Sequence, residues 1–283
     1  MPRYTPGMPI TPLRLMAVLA HPDDESLGVG GTLAKYAAEG VETFLVTATR
    51  GQKGRFRGHR DPPQHPGAAR LGEIREQELR AAAAVLGVTD LAVLDYQDQA
   101  LDQADVPEAV GKIAGHIRRV RPHVVMTFGP DGAYGHPDHV AISQLTSAAI
   151  VTAAAAGDGS HQVSKLYHMA WSADSWDLYQ RAFASVGCTV DGVERRAVPW
   201  PDWAITTVID ARPWWPTVWR AVSCHDSQTA GYDRLKTLED ADHEILWGRQ
   251  CFCRVFSTVN GGRAREIDLF QGLRAGSLPD GNP

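Results

Sequence analysis

The sequence predicts an α/β protein with a mostly parallel sheet, helices on both of its faces, and a smaller, mixed C-terminal portion. Three observations carry this expectation. Short apolar runs alternate with helix-like segments in the order β-α-β-α-β-α-β-α through residue 156. Parallel neighbours need crossover connections, and helices supply them. A chain of 283 residues, 43% of them apolar, can bury a sizeable core.

Residues 13–20 (LRLMAVLA) form a short apolar run that stops at His21-Pro22, which argues for a buried strand. Gly30-Gly31-Thr32 opens a helix that ends at Gly40, a suitable C-cap. Residues 41–49 (VETFLVTAT) give a second strand. Residues 50–72 have no usable periodicity and many Gly, Pro and Arg, so they read as a long loop of the kind that often serves function. Residues 73–86 form a helix closed by Gly87, 91–96 a third strand, and 106–120 a helix closed by Arg121-Pro122. Residues 123–128 (HVVMTF) make a fourth strand, followed by the loop GPDGAYGHPDH and an Ala-rich helix over 140–156. Beyond it the pattern weakens. Strands are expected at 163–171, 205–210 and 251–259, and helices at 214–227 and 233–247. Residues 1–12 read as a flexible, Pro-rich leader, 13–274 as one domain (core 13–156, elaboration 157–274), and 275–283 as a frayed tail.

With 28 Lys+Arg against 33 Asp+Glu the net charge is −5, which disfavours nucleic acid as a partner. No apolar run approaches the roughly 20 residues of a membrane helix, and the leader lacks the apolar stretch of a secretory signal. The four cysteines sit late and irregularly, as reduced thiols of a cytoplasmic protein would. A homo-oligomer is left open.

Two polar clusters follow strands one and four: AHPDDE at 20–25 and GHPDH at 135–139. If the strands are ordered 3-2-1-4-5, these ends are neighbours at the point where an open α/β sheet binds ligands. The pocket would gather His21, Asp23, Asp24, Glu25, His136, Asp138 and His139, without a Cys or a suitable Ser nucleophile. A set of two imidazoles and one carboxylate with open positions suits catalytic Zn²⁺ or Fe²⁺. A remaining carboxylate can deprotonate water, and a remaining imidazole can stabilise an oxyanion. This is the equipment of a metal-dependent amide or ester hydrolase. Gly28-Val29-Gly30-Gly31 is a poor dinucleotide fingerprint, because His21 to Leu27 separate it from the strand and no acidic residue closes strand two. Close packing is its expected role.

On these residues the sequence resembles the PIG-L / LmbE-like family of zinc-dependent N-acetylglucosaminyl deacetylases. The matching motifs are AHPDDE at 20–25 and GAYGHPDH at 132–139, supported by TRGQKG at 49–54, R-E-x-E-L-x-A-A at 75–82, HDSQ at 225–228 and DLFQGLR at 268–274. The resemblance implies a Rossmann-like fold and hydrolysis of an N-acyl group from a small amino-sugar conjugate. Carried over by motif, His21, Asp24 and His139 are metal ligands and Asp23 is the general base. His136 polarises the acyl oxygen or protonates the leaving amine, and Tyr134 matches a Tyr aimed at the same oxyanion. Arg75 and Asp98 match substrate-binding residues, while Asp138 and Glu25 support the ligands from behind. Gln52 stands where many members carry Glu, and His225 matches a late family His. Arg50, Lys53, Arg55, Arg57, Arg60 and Arg70 lead us to expect a cationic rim. The resemblance leaves two alternatives to an N-deacetylase. One is an amidase for a larger acyl group, as in thiol-conjugate amidases. The other is a binding protein that keeps a metal or nucleotide site without turnover, against which the intact Asp23 speaks.

Overall fold

The computed structural model describes residues 12–183, 187–262 and 264–274, so the leader (Pro12 apart) and the tail lie outside it. The first half follows the expected alternation. It runs β1 (Arg14–Leu19), α1 (Asp24–Ala38), β2 (Glu42–Thr49), α2 (Ala68–Val85), β3 (Asp90–Tyr96), α3 (Val106–Val120), β4 (Val124–Thr127), a short kinked α4 (Gly132–Gly135), α5 (Pro137–Ala154) and β5 (Lys165–Ala170). The second half holds α6 (Trp176–Phe183), the hairpin β6 (Gly187–Val190) and β7 (Val193–Arg196), β8 (Thr207–Asp210), α7 (Trp215–Ser223), α8 (Asp226–Thr229), α9 (Asp240–Gly248) and β9 (Arg249–Ser257).

The main sheet has the order β3-β2-β1-β4-β5-β9-β8. Strands β1 to β5 pair in parallel, and β1 and β4 are direct neighbours through Leu15–Val124 and Ala17–Met126. The late strand β9 lies antiparallel between β5 and β8. β1 is buried from Leu15 to Leu19, as a central parallel strand covered on both faces must be. A large core of Leu, Val, Ile and Ala joins these strands to α1, α2, α3 and α5. A smaller one, around Tyr179, Val218, Val222 and Trp247, joins α6, α7 and α9. Among the described residues no helix is long and apolar enough to cross a membrane.

Several boundaries differ from the expected ones. α1 starts at Asp24, so Gly28, Gly30 and Gly31 are helical rather than introductory. They are tolerated because neighbours press on them: a Cβ on Gly31 would lie 2.7 Å from the Ala211 Cβ and 2.9 Å from the Trp247 carbonyl oxygen. α5 starts at Pro137 rather than at 140, with proline in the first turn, where its missing N–H costs nothing. α2 reaches back to Ala68, which shortens the loop to residues 50–67. The helix expected over 214–227 is broken at Cys224-His225, and that over 233–247 begins with a 3₁₀ stretch, Ala230–Thr237.

Candidate active site

The turn after β1 and the turn after β4 meet, as the strand order requires. In the first turn Asp23 adopts φ 94°, ψ −24°, a left-handed conformation that is uncommon away from glycine. The backbone N–H of Asp23 donates to Glu25 Oε2 at 3.0 Å. Asp24 then opens α1 and its Oδ2 accepts the backbone N–H groups of Ala20 (3.2 Å) and His21 (2.7 Å). In the second turn Gly132 (φ 55°) and Gly135 (φ 75°) make a sharp bend, and a Cβ on Gly132 would meet Val140 Cγ2 at 2.7 Å.

Three side chains converge across the junction. His21 Nδ1 lies 3.1 Å from His139 Nε2 and 3.7 Å from Asp24 Oδ2, and His139 Nε2 lies 3.5 Å from Asp24 Oδ1. The other ring nitrogens are committed. His139 Nδ1 faces the Gly132 carbonyl at 3.2 Å, which can only accept, so the proton is on Nδ1. His21 Nε2 faces Asp138 Oδ2 at 3.0 Å and Asp98 Oδ1 at 3.2 Å, so its proton is there. Two imidazole nitrogens and a carboxylate oxygen are left pointing at one place, where a cation would replace the second proton of His21, at Nδ1. Such a donor set fits a divalent cation of the zinc type, with backing groups that fix each ring's tautomer.

Electrostatics follow the same geometry. Burial opposes charging of His21, but Asp138, Asp98 and Asp24 outweigh it and push its pKa up to about 10. Burial, reinforced by the Asp23 and Glu25 carboxylates, raises Asp24 to about 7. Burial and then the charged His21 hold His139 well below the ordinary range, so it is neutral. His136 is pushed down to about 4 by burial and by His21. Its Nδ1 accepts the Asp138 N–H at 3.2 Å, so the neutral ring carries its proton on Nε2. Burial and the Asp24 and Asp23 carboxylates raise the Tyr134 phenol, which therefore stays protonated. Its ring meets those of His139 and His136 edge-on, with centroids 5.2 and 5.8 Å apart.

Arg75 is 5% exposed. Its Nη2 donates to the Pro22 carbonyl (2.6 Å) and lies 3.3 Å from Asp23 Oδ2, and its Nη1 donates to the Gly51 carbonyl (2.8 Å). The TRGQKG segment wraps this guanidinium: a Cβ on Gly51 would fall 2.0 Å from Nη1, and one on Gly54 2.8 Å. Gln52 ties the same segment to the end of β3, donating to the Tyr96 carbonyl at 3.3 Å. Asp98, 3% exposed, divides its oxygens between His21 and the Lys53 N–H (2.8 Å), so it backs the His21 ring as Asp138 does. Asp138 also accepts the N–H groups of Gln99 (2.7 Å) and Leu101 (3.0 Å).

These groups floor a chamber of about 370 Å³ that also includes Leu27, Phe128, Trp171, Tyr179 and Gln228. Next to it an outer chamber of about 610 Å³ lies between Arg60, Gln99, His136 and the β6 strand. Of the six cations expected at the rim, three are paired, Arg50 with Glu76 and Asp95, Arg57 with Asp226 and Arg70 with Glu73, while Arg60 lines the outer chamber. Two contributions escaped the sequence reading. Glu25 and His225 form a buried pair (2.7 Å), which the HDSQ motif signalled without giving a partner. The β6–β7 hairpin turns on Asp191-Gly192, both at positive φ, a turn signal that was open to reading.

The comparisons with known proteins agree with this geometry. A family model described as "PIG-L: GlcNAc-PI de-N-acetylase" matches residues 16–150. A 1D-myo-inositol 2-acetamido-2-deoxy-alpha-D-glucopyranoside deacetylase of Kineococcus radiotolerans is 33% identical, over 94% of this chain and 84% of its own. A protein of the same name from Acidothermus cellulolyticus is 35% identical, over 92% and 94%. The chain belongs to the PIG-L family. It is an amide hydrolase of the de-N-acetylase type, and both motif turns fall inside the matched region. Among solved structures, the conserved protein TT1542 from Thermus thermophilus superposes with a TM-score of 0.60 at 26% identity, over 89% of this chain and 99% of that one. The N,N'-diacetylchitobiose deacetylase from Pyrococcus horikoshii shares the fold, with a TM-score of 0.63 at 19% identity over 86% and 83%.

Proposed function

We propose that this PIG-L protein removes the N-acetyl group from a glucosaminyl-inositol conjugate of the kind named for its relatives, with Zn²⁺ or Fe²⁺ held by His21, Asp24 and His139. One observation carries the reading: two imidazole nitrogens and a carboxylate oxygen converge on the floor of a chamber that also contains Asp23. The bound metal would act as a Lewis acid toward the acyl oxygen and make water a better nucleophile near neutral pH.

The chain's own residues do the rest. Asp23, steadied by Arg75 and by Glu25 at its backbone N–H, takes the proton of the attacking water and passes it to the leaving nitrogen. The neutral His136 donates from Nε2, and Tyr134 from its hydroxyl, to the acyl oxygen as it gains charge. His136 is thus a hydrogen-bond donor rather than a proton donor. Arg75, Gln99 and Gln228 face the sugar from the chamber wall. Residues 13–274 serve as one catalytic domain in this reading. The four cysteines are unpaired, in accord with a cytoplasmic location.

The test is metal analysis together with detection of free amine from 1-O-(2-acetamido-2-deoxyglucosyl)-inositol. Chelation should abolish amine release and zinc or ferrous iron should restore it. Full activity in a metal-free preparation would refute the proposal.

A further inference from the structure

Tyr134 and His136 reach the chamber from a turn that the backbone resists. Ala133 sits at φ 63°, ψ −60° and Gly135 at φ 75°, while Tyr134 between them takes φ −129°, ψ 27°. A positive φ at alanine persists only where its surroundings over-determine it. On one side the turn is held by its neighbours in sequence: the Gly135 N–H donates to the Asp131 carbonyl (2.8 Å) and the Val140 N–H to the His136 carbonyl (3.0 Å). On the other side it is held by the β6–β7 hairpin, in which Cys188 and Arg195 stand opposite each other. Arg195 Nη1 donates to the Gly135 carbonyl at 3.0 Å, and the Cys188 thiol faces the Tyr134 carbonyl at 3.6 Å. The aliphatic stem of Arg195 presses on Gly135: a Cβ there would fall 2.6 Å from Arg195 Cδ and 3.0 Å from its Cβ. A thiol is a weak donor and a guanidinium a strong one, so Arg195 supplies most of the hairpin's grip.

We propose that Arg195 is a positioning residue for the hydrolysis, acting through the turn that carries Tyr134 and His136. The proposal rests on the reading of these two side chains as donors to the acyl oxygen. Arg195 does not work by touching substrate. The outer chamber is walled by Gly187–Val190 of β6, whereas Arg195 lines a separate groove with Pro137 and Val140. Nor does it form an ion pair with a carboxylate among the described residues, so its charge is directed at one backbone carbonyl. The metal-binding groups hang on other ties. His139 Nδ1 faces the Gly132 carbonyl, and Asp24 accepts the N–H groups of Ala20 and His21. Loss of Arg195 therefore loosens the two donors and spares the metal. Donors to a developing oxyanion act only when held where the charge appears, and a misplacement of about 1 Å costs about 10²-fold. The ground-state substrate needs these donors less, so the loss falls on kcat rather than on KM.

The experiment uses the metal-loaded enzyme and N-acetylglucosaminyl-inositol. Arg195→Ala should lower kcat about 10–100-fold, change KM by less than about threefold and leave metal content equal to that of the wild type. In a His136→Ala background, which has already lost one of the two donors, the same change should cost about threefold less, or better. Arg195→Lys keeps a charged donor and should regain about threefold or more over Arg195→Ala. Amide hydrogen exchange over residues 132–136 needs no substrate and should quicken about tenfold in metal-loaded Arg195→Ala. If that variant fails to fold, Arg195→Gln, which keeps most of the stem, goes through the same comparisons. A wild-type kcat, a raised KM with kcat intact, an equal cost in both backgrounds or unchanged exchange overturns the proposal and leaves the deacetylase reading standing. A wild type that releases no amine overturns the deacetylase reading itself, while the exchange measurement still decides whether Arg195 holds the turn.

Discussion

Asp138→Asn tests whether the groups behind His21 tune the metal. The two oxygens of Asp138 serve three donors: Oδ2 accepts from His21 Nε2 (3.0 Å) and Gln99 N (2.7 Å), and Oδ1 from Leu101 N (3.0 Å). An asparagine offers one acceptor oxygen and one NH₂, so either orientation sets a donor against a donor. The cheaper orientation keeps the oxygen toward His21 and Gln99 and orphans the Leu101 N–H. A buried unsatisfied N–H costs about 1–3 kcal/mol, and urea unfolding of the metal-free variant should read that loss. His21 also loses a charged partner, which lowers its basicity at Nδ1. Loss of such a partner weakens metal binding about 10–100-fold. Asp98 Oδ1 remains 3.2 Å from the same nitrogen, so the single variant should fall near tenfold by chelator competition. Asp98→Asn added to it removes the second carboxylate and should cost more than the two single changes together. Equal metal affinity in the wild type and the double variant would refute the reasoning and leave Asp138 as a loop anchor alone.

Asp23→Asn should keep its metal and lose about 10²–10⁴-fold in amine release; stoichiometric loss of metal would make Asp23 a ligand instead. His136→Ala should cost about 10²–10³-fold in turnover yet leave any alkaline limb of the pH profile in place. Burial and His21 hold His136 at about 4, so it does not titrate above neutrality. Gly51→Ala puts a methyl group 2.0 Å from Arg75 Nη1 at a residue with φ 60°. It should displace Arg75, lower kcat/KM and leave metal content unchanged, which metal analysis beside kinetics can check. In the metal-free protein the folded pKa of His21, about 10, exceeds its unfolded value of 6.5. Its stabilisation is full below pH 6.5 and is lost as pH rises toward 10, by at most about 5 kcal/mol, so urea midpoints should fall over that range. Metal held at Nδ1 should flatten the decline, and a metal-free protein equally stable at pH 7 and 10 would count against the charged His21.

The parts of the fold that were legible rest on strong local signals. β1 and β4 are largely apolar runs stopped by His21-Pro22 and by Gly129-Pro130, and both motif turns follow them. The start of α1 was not legible, because Gly30-Gly31 reads as the opening of a helix rather than as its interior, although close packing was expected of the glycine run. Only the contacts with Met169, Ala211 and Trp247 explain why glycine is tolerated there. β9 was expected as a strand, but nothing in residues 249–257 encodes its direction. Its antiparallel place is set by β5, distant in sequence. Asp98 illustrates a further limit. Its position after β3 was clear, but its pairing with His21 depends on a turn that brings three strand ends together.

Residues late in the chain bear on chemistry early in it for the same physical reasons. Asp23 holds a left-handed backbone, a conformation that persists only where its surroundings over-determine it. Glu25 supplies the constraint, with Oε2 on the Asp23 N–H and Oε1 shared by Ser26 Oγ (2.6 Å) and His225 Nε2 (2.7 Å). A fully buried carboxylate is costly unless paired. Burial would raise the pKa of Glu25, but His225 and its hydrogen bonds bring it below the ordinary range, so it stays charged and keeps accepting from Asp23. His225 is in turn fixed by its neighbours Ser227 and Gln228. The N–H and hydroxyl of Ser227 donate to Glu78 on α2 (2.7 and 2.6 Å), and its carbonyl accepts the Arg57 N–H from the long loop. Gln228 donates to the Arg55 carbonyl at 2.8 Å. One four-residue segment therefore joins the turn bearing Asp23, the helix bearing Arg75 and the loop that wraps Arg75. Through His225 and Glu25 the HDSQ motif thus holds the backbone from which Asp23 reaches the chamber.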